Sequence, residues 1–270
     1  MDKVRLYLSN YLMILKLQAR SRMSFRVNFF TMLVSVFLRE LVMLAMMLVL
    51  VQRFDGLAGW DMWEIAFLYS VVNFTYRNYS SFFGGISQVV NLVKNGGMDA
   101  YLLTPLSPLF LINARHTMVW RAYYNVGILI VTIYSGYMAG IMPTMWNVVV
   151  FLVMMVSAML ILFAIYLIIF SFSFYVLEIS AVASVVSQLT QRYMIYPISI
   201  YGAVGTFLFT FILPLGFVAY YPSAFLLDKT QGVLFHPMLG VLTPVMAVFW
   251  LVIAGLLWRR GVRRYESTGS

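Results

Sequence analysis

Six long stretches of mainly apolar residues follow one another along the chain, and each contains few charged residues. They lie at about 28–52, 62–87, 117–140, 145–175, 197–219 and 238–258. A helix needs about 20 apolar residues to cross the roughly 30 Å hydrocarbon core of a bilayer, because each residue adds about 1.5 Å. The pattern predicts an all-α polytopic membrane protein with six transmembrane helices, organised as one domain over residues 1–270.

Composition excludes most other classes of protein. Hydrophobic residues make up 63% of the chain and charged residues only 10%, whereas soluble proteins contain about 25% charged residues. The chain has no cysteine and two histidines, so disulfides, iron–sulfur clusters and cysteine zinc sites are excluded. No catalytic or metal-ligating residues are predicted.

The basic residues are distributed very unevenly between the two sides of the predicted topology. One side holds Lys3, Arg5, Lys16, Arg20, Arg22, Arg26, Arg77, Lys94, Arg115, Arg121, Arg192, Arg259, Arg260, Arg263 and Arg264. The other side holds Arg53 and Lys229, and Arg39 lies inside the first span. Because cytoplasmic loops of membrane proteins are enriched in Lys and Arg, we expect a multi-pass protein of the cytoplasmic membrane with both termini in the cytoplasm. The same distribution accounts for the net charge of +9 without nucleic acid as a partner.

Residues 1–27 precede the first span and are amphipathic. Apolar and basic side chains alternate there at roughly helical spacing. This pattern is typical of a helix that lies in the membrane interface, with its basic residues near anionic lipid head groups. A helical cap packed on the other helices is the alternative.

Arg39 and Glu40 lie in the middle of the first span. Ionisable groups at that depth cost several kcal/mol unless they are paired or face water. Adjacent helical positions point about 100° apart, so we expect that the two side chains do not simply pair with each other. They either support a translocation path or form a buried ion pair that fixes helix packing.

The second span carries a polar stripe that includes Asn73 and Arg77, followed on the same face by Ser81 and Gly84. Such a stripe could line a substrate path. Small and polar residues also hold membrane helices together, and the sequence leaves both interpretations open.

The loop between the second and third spans predicts a short helix. Gly96-Gly97 interrupts the chain, Asp99 is placed to open a helix, and Pro105 stops it. The apolar face of this helix consists of Met98, Tyr101, Leu102 and Leu103. A short apolar-faced helix in a cytoplasmic loop indicates a groove on a partner protein, or else a cap on the ends of the neighbouring spans.

The segment before the last span reads FVAYYPSAFLL over 217–227. Pro214, Pro222, Pro237 and Pro244 punctuate this region and predict a short re-entrant element. Tyr220, Tyr221 and Pro222 would form either an external gate or an anchor in the interfacial aromatic belt.

Four segments together carry a resemblance to a known family. They are the basic N-terminal helix, GGMDAYLLTPLSP at 96–108, YPISIYG at 196–202 and ILPLGFVAYYPSAFLL at 212–227. In these motifs, and in its topology over nearly the whole chain, the sequence resembles the permease subunits of type-2 ABC exporters that have a separate ATP-binding subunit.

The resemblance implies an ABC exporter permease, with a re-entrant element over about 218–237. Residues implied to couple it to the ATPase subunit are Met98, Asp99, Tyr101, Leu102, Leu103, Thr104 and Pro105. A second permease, identical or related, would complete a dimer. The chain lacks the G-x-x-x-x-G-K-[ST] phosphate loop, so we expect no enzyme activity and no cofactor in this chain, with ATP and Mg bound by the partner ATPase. The substrate class expected is amphipathic or hydrophobic: a drug, an antibiotic, a lipid or a peptide.

Two other functions remain as alternatives. A proton-coupled secondary transporter could use Arg39 and Glu40, but it predicts internal repeats with matching broken helices, which the sequence does not show. A membrane-embedded enzyme would need clustered acids or histidines. Outside the membrane only Asp55, Asp61 and Glu64 cluster, without the spacing of metal ligands.

Overall fold

The computed structural model describes residues 26–53, 57–116, 125–176, 178–230 and 235–265. In these ranges the α-helices are α1 (Arg26–Arg53), α2 (Met62–Phe83), α3 (Val89–Lys94), α4 (Met98–Leu102), α5 (Pro108–His116), α6 (Asn125–Met138), α7 (Met145–Ser171), α8 (Ser180–Gln188), α9 (Gly202–Phe207), α10 (Tyr220–Leu226) and α11 (Thr243–Arg264). Short 3₁₀ and π turns extend several of them. Within the same ranges the chain forms no strand, only one isolated bridge between Leu57 and Trp60.

Several sequence predictions lie outside these residues. The N-terminal interfacial helix is one of them, since the described chain begins at Arg26. The others are Asp55, residues 117–124 of the predicted third span, and residues 231–234 of the predicted re-entrant segment.

Helices α7 and α11 have clear sequence reasons to begin and end where they do. The Thr144 hydroxyl accepts a hydrogen bond from the Asn147 backbone N–H at 3.2 Å and so caps α7. Pro244 stands in the first turn of α11, where its missing N–H costs nothing, and Arg263 and Arg264 lie in the last turn, where they complement the helix dipole.

In the described part of the chain, two helical stretches are long and apolar enough to cross a membrane: Met145–Phe174 and Pro237–Arg264. A bent pair of helices, Ser180–Tyr193 and Ile198–Ile212, could form a third crossing. The protein is thus an apolar all-helical membrane protein in these ranges, and the count of six spans stays a prediction.

Helices α7 and α11 pack side by side, with their C-termini at the same end of the molecule. Phe174, just after α7, contacts Trp258 and Tyr265 with ring centroids 5.5 and 6.1 Å apart. Gly261 makes this approach possible, because a Cβ there would lie 2.5 Å from the Phe174 ring. The two helices therefore run parallel.

Helix α2 lies in the centre and connects the two ends of the molecule. Its 22 residues make it about 33 Å long. Trp60, which is fully buried, immediately precedes it at one end; we call this the tryptophan end. Helices α3 and α4 follow at the other, which we call the loop end. α2 packs against α1, α6 and α7, and against the turn Leu189–Tyr193 that follows α8.

The predicted fifth span over 197–219 is not one straight helix. A helical arm, Ser180–Tyr193, precedes the predicted span, and the chain then turns by 117° into Ile198–Ile212, which ends before residue 219. Pro197 supplies no N–H to continue the first helix, and Gly202 adopts a φ of +69°, which non-glycine residues rarely adopt. Pro214 precedes a further turn, after which α10 returns to Trp60.

Candidate functional site

A charged cluster joins α1 to α2. Glu40 is only 4% exposed, and its carboxylate accepts hydrogen bonds from the Arg77 guanidinium of α2 and from Arg39 at 3.2 Å. The Tyr69 hydroxyl donates to its other oxygen at 3.0 Å. One buried acid thus has two guanidinium partners and one phenol, so the cluster carries a net charge of about +1.

The predicted residues Arg39, Glu40 and Arg77 meet in this cluster, but not entirely as expected. Glu40 has partners on another helix, as expected of a residue that does not simply pair with its neighbour; the long Arg39 side chain nevertheless also reaches back to Glu40. Asn73 does not join the cluster through its side chain: its amide donates to the Tyr69 carbonyl of its own helix at 2.9 Å. Tyr69 itself was not singled out by the sequence, since a tyrosine in an apolar span gives no signal of its partner.

The remaining polar side chains of α2 bond to three other helices. Asn125 of α6 donates to Asn78 at 3.1 Å. The hydroxyls of Tyr76 and Ser187 of α8 lie 2.9 Å apart. Thr75 donates to the sulfur of Met155 in α7 at 3.3 Å. Side-chain hydrogen bonds between helices hold membrane bundles together, so these contacts favour the packing interpretation for this part of α2.

The short helix α4 follows α2 at the loop end, and its apolar residues point in two directions. Met98 is fully buried and Tyr101 is 7% exposed, and the Arg115 guanidinium lies over the Tyr101 ring at 5.3 Å. Leu102 and Leu103, by contrast, are 37% and 87% exposed. One face of the helix is therefore anchored and the other presents two leucines at the surface.

The rest of this loop frames the exposed leucines. Thr104 donates to the Tyr101 carbonyl at 2.7 Å and closes the turn after α4, while Pro105 is exposed. Asp99 lies in the first turn of α4, beside Tyr265 at the end of α11. Burial and the Asp99 carboxylate both raise the pKa of Tyr265, so its phenol stays protonated at neutral pH.

At the tryptophan end, Tyr220, Tyr221 and Pro222 of α10 are buried rather than spread over the surface. The Tyr221 and Thr210 hydroxyls are 2.6 Å apart, and the Tyr220 ring lies 5.5 Å from Trp60. The segment is therefore fixed both to the Ile198–Ile212 arm and to the start of α2.

An ion pair closes the same region, and no sequence pattern predicts it. Lys229 Nζ lies 2.8 and 2.6 Å from the two carboxylate oxygens of Glu64, and 5.8 Å from the centre of the Trp60 ring. Glu64 also accepts from the Asp61 backbone N–H at 2.8 Å, within the capping box of α2. The two residues of the pair are 165 positions apart, so no local pattern reveals it.

No group of three or more His, Asp or Glu residues in the described ranges is arranged to hold a metal ion. Three features of the described residues stand out instead. They are the exposed leucines of α4 at the loop end, the charged cluster between α1 and α2, and the ion pair at the tryptophan end. Each of them joins parts of the protein or offers a surface to a partner.

A family model described as ABC-2 family transporter protein matches residues 37–269. A search of curated proteins and a search of solved structures gave no match. The match covers α1 from its twelfth residue onward and every later helix.

Proposed function

Because the chain belongs to the ABC-2 transporter family, whose members are the membrane components of transporters and work with an ATP-binding-cassette ATPase, we propose that it is the permease subunit of an ATP-driven exporter. Its substrate would be amphipathic or hydrophobic: a drug, an antibiotic, a lipid or a peptide. ATP and Mg would be bound by the partner ATPase.

The exposed leucine pair of α4 is the observation that carries the proposal. Leu103, at 87% exposure, is among the most exposed apolar residues, and it follows a helix whose other face is fixed by Met98 and Tyr101. Apolar side chains held rigidly at a surface indicate a partner with a hydrophobic groove. In this proposal Met98 to Pro105 form the coupling element, and the ATPase supplies the groove.

The proposed topology has six spans over one domain, with the loop end in the cytoplasm and the tryptophan end outside. The described basic residues support this orientation, because those at the loop end outnumber those at the tryptophan end. The loop end holds Arg26, Lys94, Arg115, Arg259, Arg260, Arg263 and Arg264, and the tryptophan end holds Arg53 and Lys229. The interfacial helix, the cytoplasmic-membrane location and both cytoplasmic termini belong to the same proposal.

Two such permeases, identical or related, would enclose the path, with two ATPases bound below. ATP binding would draw the ATPases together and move the α4 helices, and substrate would bind the two permease states with different affinity. Arg39, Glu40, Asn73 and Arg77 would line or support the path. Tyr220, Tyr221 and Pro222 would belong to the external gate.

Co-purification tests the proposal directly. The protein is extracted in mild detergent from its native membrane, captured by a C-terminal tag, and its companions are identified by mass spectrometry. We expect a nucleotide-binding ATPase in the eluate of the wild type and its loss from a Leu102→Asp, Leu103→Asp variant. A wild-type sample that brings down no such ATPase rules out the exporter assignment.

The geometry of Glu40 disfavours the proton-coupled alternative. A carboxylate that carries protons has to release its cationic partners in each cycle, whereas Glu40 is held by two guanidiniums and a phenol.

A further inference from the structure

One arm of the broken fifth helix presents a polar face to the outside of the molecule. Ser180, Ser184, Gln188, Gln191 and Arg192 are all exposed. At about 100° per residue Ser180, Ser184 and Gln188 lie on one side of α8, and Gln191 and Arg192 follow in the π turn Leu189–Tyr193. Val186 and Thr190, on the opposite side, are buried.

The arm begins beside the loop end and leads away from it. Ser180 follows the end of α7 by a short connection, and Ser187, seven residues later, meets Tyr76, seven residues before the end of α2. At about 1.5 Å per residue both hydroxyls lie about 10 Å from the loop end. Arg192 is five residues beyond Ser187 and so lies farther from the loop end than Tyr76 does; in the proposed topology this places it within the membrane, and not at the cytoplasmic surface as its sequence position predicts.

An arginine at this depth is costly in lipid, at about 2.5–3.5 kcal/mol by insertion measurements. Arg192 forms no hydrogen bond or ion pair with any described residue. The exposed amides of Gln188 and Gln191 are also poorly suited to acyl chains, although Val182 and Val185 are exposed on the same arm. A water-filled or protein-lined environment is therefore required on this side of the arm.

The described part of the chain holds one acid at a depth comparable to that of Arg192. Glu40 is already paired with Arg77 and Arg39. The other described acids are at or near helix ends: Asp61, Glu64, Asp99, Glu178 and Asp228. A second copy in the same orientation would bring these acids to the same depths and would not supply a partner either.

The polar face is also connected to the interior of the helix bundle. Gln191 donates to the Ser187 hydroxyl at 2.8 Å, and Ser187 bonds to Tyr76 of α2. A ligand that engages Gln191 and Arg192 would thus contact the central helix through two hydrogen bonds. The Glu40 cluster has a net positive charge, and Arg192 adds a second positive charge within the proposed membrane region.

We propose that Arg192, with Gln188 and Gln191, binds the anionic group of the transported substrate, a carboxylate, sulfonate or phosphate on an otherwise apolar molecule. The guanidinium supplies a forked set of donors that fits such groups, and the two amides add neutral donors. This inference rests on the proposed transport function, and it narrows the substrate class from amphipathic molecules to amphipathic anions.

The test measures binding of two fluorescent probes to the purified protein in phosphatidylcholine nanodiscs. Anilinonaphthalene sulfonate is the anionic probe and rhodamine 6G the cationic one. We expect Arg192→Gln to weaken binding of the sulfonate about tenfold or more, since a hydrogen bond to a charged group has that effect. Arg192→Lys restores part of the affinity, and rhodamine binding does not weaken. The matched control is Arg260→Gln, which removes an exposed cation from the end of α11.

Equal sulfonate affinity in the wild type and in Arg192→Gln overturns the proposal. A second arm adds phosphatidylglycerol to the nanodiscs: if it competes with the sulfonate only when Arg192 is present, the site belongs to a lipid head group, and the substrate assignment is wrong. Binding is measured without any ATPase. A failure of co-purification therefore contradicts the exporter assignment, whereas a failure of anion binding contradicts only the site at Arg192.

Discussion

Arg77 of α2 donates to Glu40 of α1, and this contact neutralises the most deeply buried acid in the described part of the chain. The two residues are 37 positions apart and belong to different helices. Arg39 and Tyr69 complete the shell around the carboxylate, so a single acid joins α1 to the central helix. Such a pair fixes which helices meet, and it is also a candidate for rearrangement during transport.

Removing one member of this pair should destabilise the protein strongly. Glu40→Gln leaves Arg77 buried without an anion, and breaking a buried pair in this way costs about 3–5 kcal/mol. We expect a clear drop in the temperature at which the detergent-solubilised protein stops eluting as a single peak in size-exclusion chromatography. Arg39→Gln is the control and should have a smaller effect, because Arg77 still balances the carboxylate.

The double variant Glu40→Gln, Arg77→Gln should recover most of the lost stability, since it removes the buried cation together with its anion and leaves only Arg39, whose side chain is 61% exposed. The ability of this double variant to stimulate the partner ATPase then distinguishes a packing role of the cluster from a role in transport. Normal stimulation shows that the cluster only fixes helix packing, whereas a stable double variant without stimulation assigns the cluster to the transport cycle. If Glu40→Gln is as stable as the wild type, the ion pair is not a packing contact.

The local features of the loop are predictable from the sequence, and the long-range contacts are not. Gly96-Gly97 and Pro105 are short-range signals, and the helix between them, Met98–Leu102, forms where they indicate. Which of its residues face inward depends on Arg115 and on the end of α11, and neither can be inferred from helical periodicity. Arg192 shows the same limit, because its position depends on a helix that begins at Ser180 and meets Tyr76 of α2 through Ser187, which hydropathy alone does not locate.

Replacing the exposed leucines of α4 with charges should disconnect the permease from its ATPase. Leu102→Asp and Leu103→Asp together place two carboxylates where an apolar groove is expected, and we predict loss of substrate-stimulated ATPase activity with unchanged membrane insertion. The matched control is Leu102→Met, Leu103→Met, which keeps the apolar surface. Intact stimulation in the aspartate variant would show that the coupling surface lies elsewhere.

The contact between Tyr265 and Asp99 should make the loop end sensitive to alkaline pH. Burial and the Asp99 carboxylate raise the pKa of Tyr265 above its unfolded value of about 10. The resulting stabilisation is complete below that value and is lost as the pH rises through the higher folded pKa. We therefore expect the wild type to lose more thermal stability than Tyr265→Phe between neutral pH and about pH 11. Equal losses would show that ionisation of Tyr265 does not contribute.

The Lys229–Glu64 ion pair should hold the tryptophan end closed. The chain has no cysteine, so Ser223→Cys, at a fully buried position of α10, gives a single thiol that a membrane-impermeant maleimide reaches only when this region opens. Adding Lys229→Met removes both the ion pair and the cation over Trp60. We expect labelling from outside to become about tenfold faster, which corresponds to lowering the free energy of local opening by roughly 1.4 kcal/mol. Exchanging the charges, Lys229→Glu with Glu64→Lys, should restore part of the protection, although Glu64 also caps α2. An unchanged labelling rate in the Lys229→Met background would mean that the buried tyrosines, and not the ion pair, keep this end closed.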